Sequence, residues 1–191
     1  KLKINKINRD YIVLIKHPLS SELHKSYEQM HKTLKALKLF CEKNNIITIC
    51  IAPNSDPGSY DMIKAINIFK KEDWLHYYET LSRNLFINLI RKSKILVGNS
   101  SMGILESPYY KIPVVNIGKR QIGRLNAGNV TFTSYGIENI IKALNKSFDD
   151  KKYLKKVKNL KNPYGNHESS KNIRSILESI DTSDKKWYVK K

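Results

Sequence analysis

The stretch KILVGNSSMGILES (residues 94–107) passes from an apolar run directly into small polar residues. Ile95, Leu96 and Val97 have the composition of a strand buried on both faces. Gly98, Asn99, Ser100 and Ser101 stop that run, and Met102, Ile104 and Leu105 resume it in a helical setting. A strand-to-helix turn needs one capping side chain. This one has two adjacent hydroxyls, glycines at 98 and 103 and, at Glu106, a carboxylate about one and a half turns further on. The surplus predicts a site as well as a turn.

The same alternation extends in both directions. YIVLIKH (11–17), IITICIA (46–52), IPVVNI (112–117) and NVTFT (129–133) read as strands, with WLHYYE (74–79) a weaker one. Leu23, Tyr27, Met30, Leu34, Leu37 and Cys41 recur in steps of three and four, which predicts a helix over 20–43. Further helices are expected over 61–71 with Ser59 as cap, from Ser82, and over 101–110, 136–147, 150–158 and 168–180. Strands alternating with helices predict one α/β domain, residues 1–180, and a tail over 181–191. The fold class is a Rossmann-like, doubly wound parallel sheet.

Composition narrows the function classes. The chain has 191 residues and 40% hydrophobic content, enough for a packed core. No apolar run approaches the roughly 20 residues of a membrane span, and the N-terminal KLKINKINRD has no apolar leader region. Cys41 and Cys50 lack metal-ligand spacing and read as small buried hydrophobes of a reducing, cytoplasmic protein. No metal or cofactor is expected. The net charge of +18 attracts polyanions without specificity. The lysines are spread along the whole chain, and no RRM, KH or OB aromatic pattern is present, which argues against specific nucleic-acid binding.

In doubly wound sheets, ligands bind outside the carboxyl ends of the strands. Four polar clusters fall there: His17-Pro18, Asn54, Asn99-Ser100-Ser101 and Gly118-Lys119-Arg120. Ser100 and Ser101 at a helix start outline a phosphate site, or cap the helix. Glu106 would repel a phosphate but accept from ribose hydroxyls; alternatively it is a solvated carboxylate. Arg120, between glycines, can clamp a pyrophosphate, or is one surface cation of many. His17 is a general acid, a phosphate donor, or a ring bonded to a loop carbonyl. Asn54 in PNSDPGS reads most simply as a turn residue, and NPYGN (162–166) as a helix stop.

Taken together, VGNSSMGILESPYYKIPVVNIGKRQIGRLNAGNV (97–130) resembles the most characteristic block of the hydrolysing UDP-N-acetylglucosamine 2-epimerases. The preceding His-Pro and PN-x-D-x-GS and the following NPYG keep the family order, so the resemblance spans about 11–175. It implies the C-terminal, nucleotide-binding half of a two-domain fold of the glycosyltransferase-B type. It also implies UDP or UDP-N-acetylglucosamine as ligand, an N-terminal domain absent from this chain, and homodimers as the common assembly. By the same resemblance, Ser100 and Ser101 hold the diphosphate and Glu106 the ribose. Arg120 and Asn54 contribute to the nucleotide site, and His17, the catalytic candidate of this half, faces the pyrophosphate. The reaction implied converts UDP-N-acetylglucosamine and water to N-acetylmannosamine and UDP, on the route to sialic-acid-type sugars. Asn166-His167-Glu168 replaces the family's usual acidic, Gly-rich run. Two other functions remain in view: the donor half of a glycosyltransferase, and a basic RNA-binding module.

Overall fold

The computed structural model describes residues 8–165 and 168–188. Six strands form one parallel sheet: β1 (Tyr11–Ile15), β2 (Ile47–Ile51), β3 (Leu75–Tyr78), β4 (Leu96–Gly98), β5 (Val114–Ile117) and β6 (Val130–Thr133). Their spatial order is β3-β2-β1-β4-β5-β6. The order reverses between β1 and β4, which defines the switch point of a doubly wound fold.

Residues alternate across the sheet as the strand period demands. Ile12 and Leu14 of β1 join Met30, Leu34 and Leu37 of α1 (Ser26–Asn44), Met62 and Ile66 of α2 (Ser59–Phe69), and Ile140 and Leu144 of α6 (Ile137–Asp149). Tyr11, Val13 and Ile15 point the other way, to Leu89 and Ile90 of α3 (Arg83–Lys92) and to Met102. Both faces of β1 are therefore dry, and its five residues are all buried. Removing one of these side chains, for example Leu37→Ala, would cost about 2–5 kcal/mol. Cys41 and Cys50 are buried free thiols, pushed by burial up to about 11 and about 12.

Three local expectations need correction. The helix predicted over 20–43 begins as a 3-10 turn, Ser20–Lys25, kinked at Glu22 (φ −137°, ψ 28°), and becomes α1 only at Ser26. Ser59 does not cap α2: Gly58 occupies that position at φ +91°, where a Cβ would lie 2.6 Å from Ser26 Oγ. The helix predicted over 101–110 is two four-residue pieces, α4 (Met102–Leu105) and α5 (Ser107–Tyr110). Pro108 explains the break, because it cannot donate to the Ile104 carbonyl and its ring crowds that oxygen. The Ser107 hydroxyl donates instead to the Gly103 carbonyl at 2.7 Å.

The chain continues through α7 (Lys151–Asn159) and α8 (Ser169–Ser179). α7 packs Tyr153 and Val157 with Leu160 into a small separate cluster. α8 buries none of its residues. The predicted tail contains a 3-10 turn at Lys185–Trp187. Asn166 and His167, part of the departure from the family pattern, lie outside the described residues, as do 1–7 and 189–191. No described helix is long and apolar enough to cross a membrane.

Candidate functional site

The switch point brings the ends of β1 and β4 together. Leaving β4 requires a glycine: Gly98 has φ +133°, and a Cβ there would sit 1.9 Å from the Ile15 carbonyl oxygen. The close approach delivers Asn99, which is 2% exposed, against the residue that follows β1 and Lys16. Asn99 Oδ1 accepts from the His17 backbone N–H at 2.7 Å, and Asn99 Nδ2 donates to the His17 carbonyl at 2.8 Å. The backbone carbonyl of Asn99 accepts from Gln121 Nε2 at 2.9 Å and Arg120 Nη1 at 3.2 Å. One buried asparagine thus joins the loops after β1, β4 and β5.

The loop after β2 enters through the imidazole. The Asn54 backbone N–H donates to His17 Nδ1 at 3.0 Å, and Asn54 Nδ2 donates to Asp56. A ring nitrogen that accepts carries no proton, so the neutral ring holds its hydrogen on Nε2. Burial lowers the His17 pKa, as does Arg120, against an opposing pull from Asp56 and with a further push from Lys16. His17 is therefore a neutral Nε2–H donor at neutral pH. The expectation of a ring bonded to a loop carbonyl is replaced by a ring accepting from a loop amide.

Ser100 and Ser101 are half-buried at the start of α4. Ser100 Oγ accepts from the Met102 amide at a long 3.4 Å, and the Ser101 side chain makes no capping bond. Their carbonyls begin the helical ladder, accepting from Gly103, Ile104 and Leu105. Because α4 is one turn long, it contributes little dipole. What this corner offers an anion is hydroxyls, loop amides and the neighbouring guanidinium of Arg120. Arg120 pairs with no carboxylate among the described residues.

Glu106 occupies the junction between α4 and α5 and is exposed. It lines a cavity of about 380 Å³ with Tyr109, Tyr110, Asn162, Tyr164 and Gly165. Tyr164 Oη donates to the Leu125 carbonyl at 2.7 Å, which fastens the 162–165 turn to the loop that carries Arg120. No described hydrogen bond joins Glu106 to the Asn99 network. The structure thus gathers His17, Asn54, Ser100, Ser101 and Arg120 around Asn99 and places Glu106 in an adjoining hollow. The sequence places Asn99 in a polar cluster at the strand's carboxyl end but gives it no role of its own, and it does not single out Gln121, which is 1% exposed. The available clue was the polar amide at the end of a buried strand.

Sheet order and switch-point cluster together define a Rossmann-like α/β domain of the kind found in glycosyltransferase-B-type epimerases. The Staphylococcus aureus MnaA–UDP structure superposes with a TM-score of 0.73 at 21% identity, covering 94% of this chain and 49% of that one. The Methanocaldococcus jannaschii UDP-GlcNAc 2-epimerase solved with UDP-GlcNAc and UDP superposes with a TM-score of 0.72 at 20% identity, over 91% of this chain and 46% of that one. The sequence model of the UDP-N-acetylglucosamine 2-epimerase family matches residues 1–178, and the chain belongs to that family. Among curated relatives, the polysialic acid biosynthesis protein P7 of Escherichia coli is 29% identical over 98% of this chain and 47% of its own length. The hydrolyzing UDP-N,N'-diacetylbacillosamine 2-epimerase of Legionella pneumophila is 27% identical over 88% of this chain and 42% of its own length. The chain spans less than half the length of these curated relatives.

Proposed function

We propose that this chain is the nucleotide-diphosphate-sugar-binding half of a hydrolysing UDP-N-acetylglucosamine 2-epimerase. The observation that carries the reading is the Asn99 hub, which holds Arg120 and a neutral His17 beside the Ser100–Ser101 turn at the switch point. Two cationic or N–H donor groups and two hydroxyls converge there, and a diphosphate is a ligand that uses all of them. Glu106, in the adjoining hollow with Tyr109 and Tyr164, suits ribose hydroxyls as a hydrogen-bond acceptor.

In the reaction, a base outside these 191 residues takes the sugar C2 proton. The C1–O bond to the diphosphate breaks, its electron pair leaves with the oxygen, and a C1–C2 double bond forms. Arg120, the seryl hydroxyls and His17 Nε2–H stabilise the charge that collects on the departing diphosphate. Water then adds its oxygen at C1 and a proton at C2. On this reading the isolated chain binds UDP and turns over UDP-N-acetylglucosamine poorly or not at all.

Calorimetric titration with UDP, GDP, CDP and UMP tests the proposal. UDP should bind best, UMP more weakly, and Arg120→Ala and Glu106→Ala should each lose about tenfold or more in UDP affinity. Equal binding of all four, or no effect of either substitution, would overturn it.

A further inference from the structure

The loop after β5 is held from two sides, and only one of them is the Asn99 hub. Arg120 and Gln121 donate to the Asn99 carbonyl. The two residues before them are fixed by other groups. The Tyr135 phenol lies against Gly118, where φ is +83° and a Cβ would fall 2.1 Å from Tyr135 Oη. Lys119 Nζ pairs with Glu22 Oε1 at 2.9 Å. Tyr135 Oη donates to Glu22 Oε2 at 3.1 Å, and Gln29 Nε2 donates to the same oxygen at 2.8 Å. Glu22 reaches this position through the kink in the 3-10 turn. Its side chain is only 15% exposed, and its three donors hold its carboxyl well below the usual range, at about 2.

Beneath Tyr135 lies Lys16. The last apolar residues of β1 carry it inward, so it is 1% exposed, with Nζ 5.3 Å from the Tyr135 ring centroid and no hydrogen-bond partner. Burial pulls its amine down to about 7, against the pull of Glu22. The charged or titratable groups around this cluster are Glu22 and Lys119 on one side, and His17, with Asp56 and Arg120, on the other.

We propose that Glu22 and Tyr135, the latter with its ring over the buried Lys16, are positioning residues that set the Gly118–Gln121 loop so that Arg120 faces an anionic ligand. Glu22 also occupies Lys119, which leaves Arg120 as the cation of Gly118–Gln121 without a carboxylate partner among the described residues. The inference rests on the reading of the Asn99 corner as a diphosphate site. None of the three residues touches that ligand; they act through the loop. Lys16 adds a charge that is present below about pH 7 and absent well above it, so an anion bound nearby is held more tightly on the acid side.

The test uses the 191-residue chain with Glu22→Gln, Tyr135→Phe and Lys16→Met. Tyr135→Phe keeps the ring on Gly118 and Lys16 and removes only the bond to Glu22. Amide exchange over 118–124 at one pH should accelerate several-fold in Glu22→Gln and less in Tyr135→Phe, with exchange in β1, β2 and β4 unchanged. UDP affinity should fall about threefold or more in Glu22→Gln. Across pH 6 to 8.5, affinity should decline more steeply in the wild-type chain than in Lys16→Met. Unchanged loop exchange in both Glu22→Gln and Tyr135→Phe would overturn the inference, as would identical pH profiles for the wild-type and Lys16→Met chains. Failure of the wild-type chain to bind UDP would overturn the diphosphate reading instead, and loop exchange would still decide whether Glu22 and Tyr135 hold the loop.

Discussion

The switch-point corner and helix α8 are built on opposite terms. At the corner, Asn99 is almost fully buried and uses both its side-chain amide and its carbonyl on groups of the same chain. In α8 no residue is buried, and Ile173, Ile176 and Leu177 are 57%, 61% and 63% exposed on a helix with polar residues between them. The partners that satisfy Asn99 all lie within the described residues. The helix carries an apolar stripe that nothing in the described chain covers. A chain spanning less than half the length of its curated relatives satisfies its buried switch-point asparagine internally and still leaves a surface of this kind open.

Perturbing the corner sharpens the contrast most. Asn99→Ala removes two buried hydrogen bonds and leaves the His17 amide and carbonyl without their partner, so it should cost about 2–4 kcal/mol in urea unfolding. A loss under about 0.5 kcal/mol would mean the hub is not structural. Lys16→Met replaces a buried, unpartnered amine with an apolar side chain of similar length and should stabilise the chain by on the order of 1–2 kcal/mol at pH 6. The sign follows from linkage. The folded amine titrates at about 7, below its unfolded value, so the unfolded state binds more protons between about pH 7 and about pH 10.4. Wild-type stability therefore rises across that window, and the advantage of Lys16→Met should shrink toward pH 10. A constant advantage at all pH values would show that the Lys16 amine titrates alike in the folded and unfolded chains, so that burial does not lower it.

A smaller effect concerns His17. Its pKa is lowered in the free chain by burial and by Arg120. A diphosphate beside Arg120 offsets that cation and raises the pKa again, so UDP binding near pH 6 should take up a fraction of a proton. Calorimetry in two buffers of different ionisation enthalpy reads that number, and His17→Asn should reduce it. Smallest of all, Leu177→Asp should change stability by less than about 0.5 kcal/mol, because the side chain is exposed. A loss of 2 kcal/mol would show that α8 is packed in solution and would remove the contrast.

Much of the fold was legible in the chain. Runs such as YIVLI and IPVVN announce strands because a sheet covered on both faces needs uninterrupted apolar residues. Their alternation with helical periods implied the parallel sheet, and the carboxyl-end rule then pointed to loops that the structure brings into hydrogen-bond contact. The break at Glu106 was missed because the apolar spacing continues across it, although Pro108 was the visible warning. Lys16 was hidden for the same reason in reverse: a lysine at the end of an apolar run reads as the strand's exit into solvent, while the fold closes Tyr135 and Glu22 over it.

By itself, then, the order of residues determined the elements, the sheet class and the segments that supply polar groups, because backbone period and burial are local properties of sequence. Tertiary structure alone decided which of those groups meet. His17 and Asn99 are 82 positions apart, and Tyr135 and Glu22 are 113 apart. No local pattern encodes such pairings. They exist because β1 and β4 became neighbours at the switch point, and because a buried amide or carboxylate takes its partners from whatever the packed sheet brings within hydrogen-bond distance.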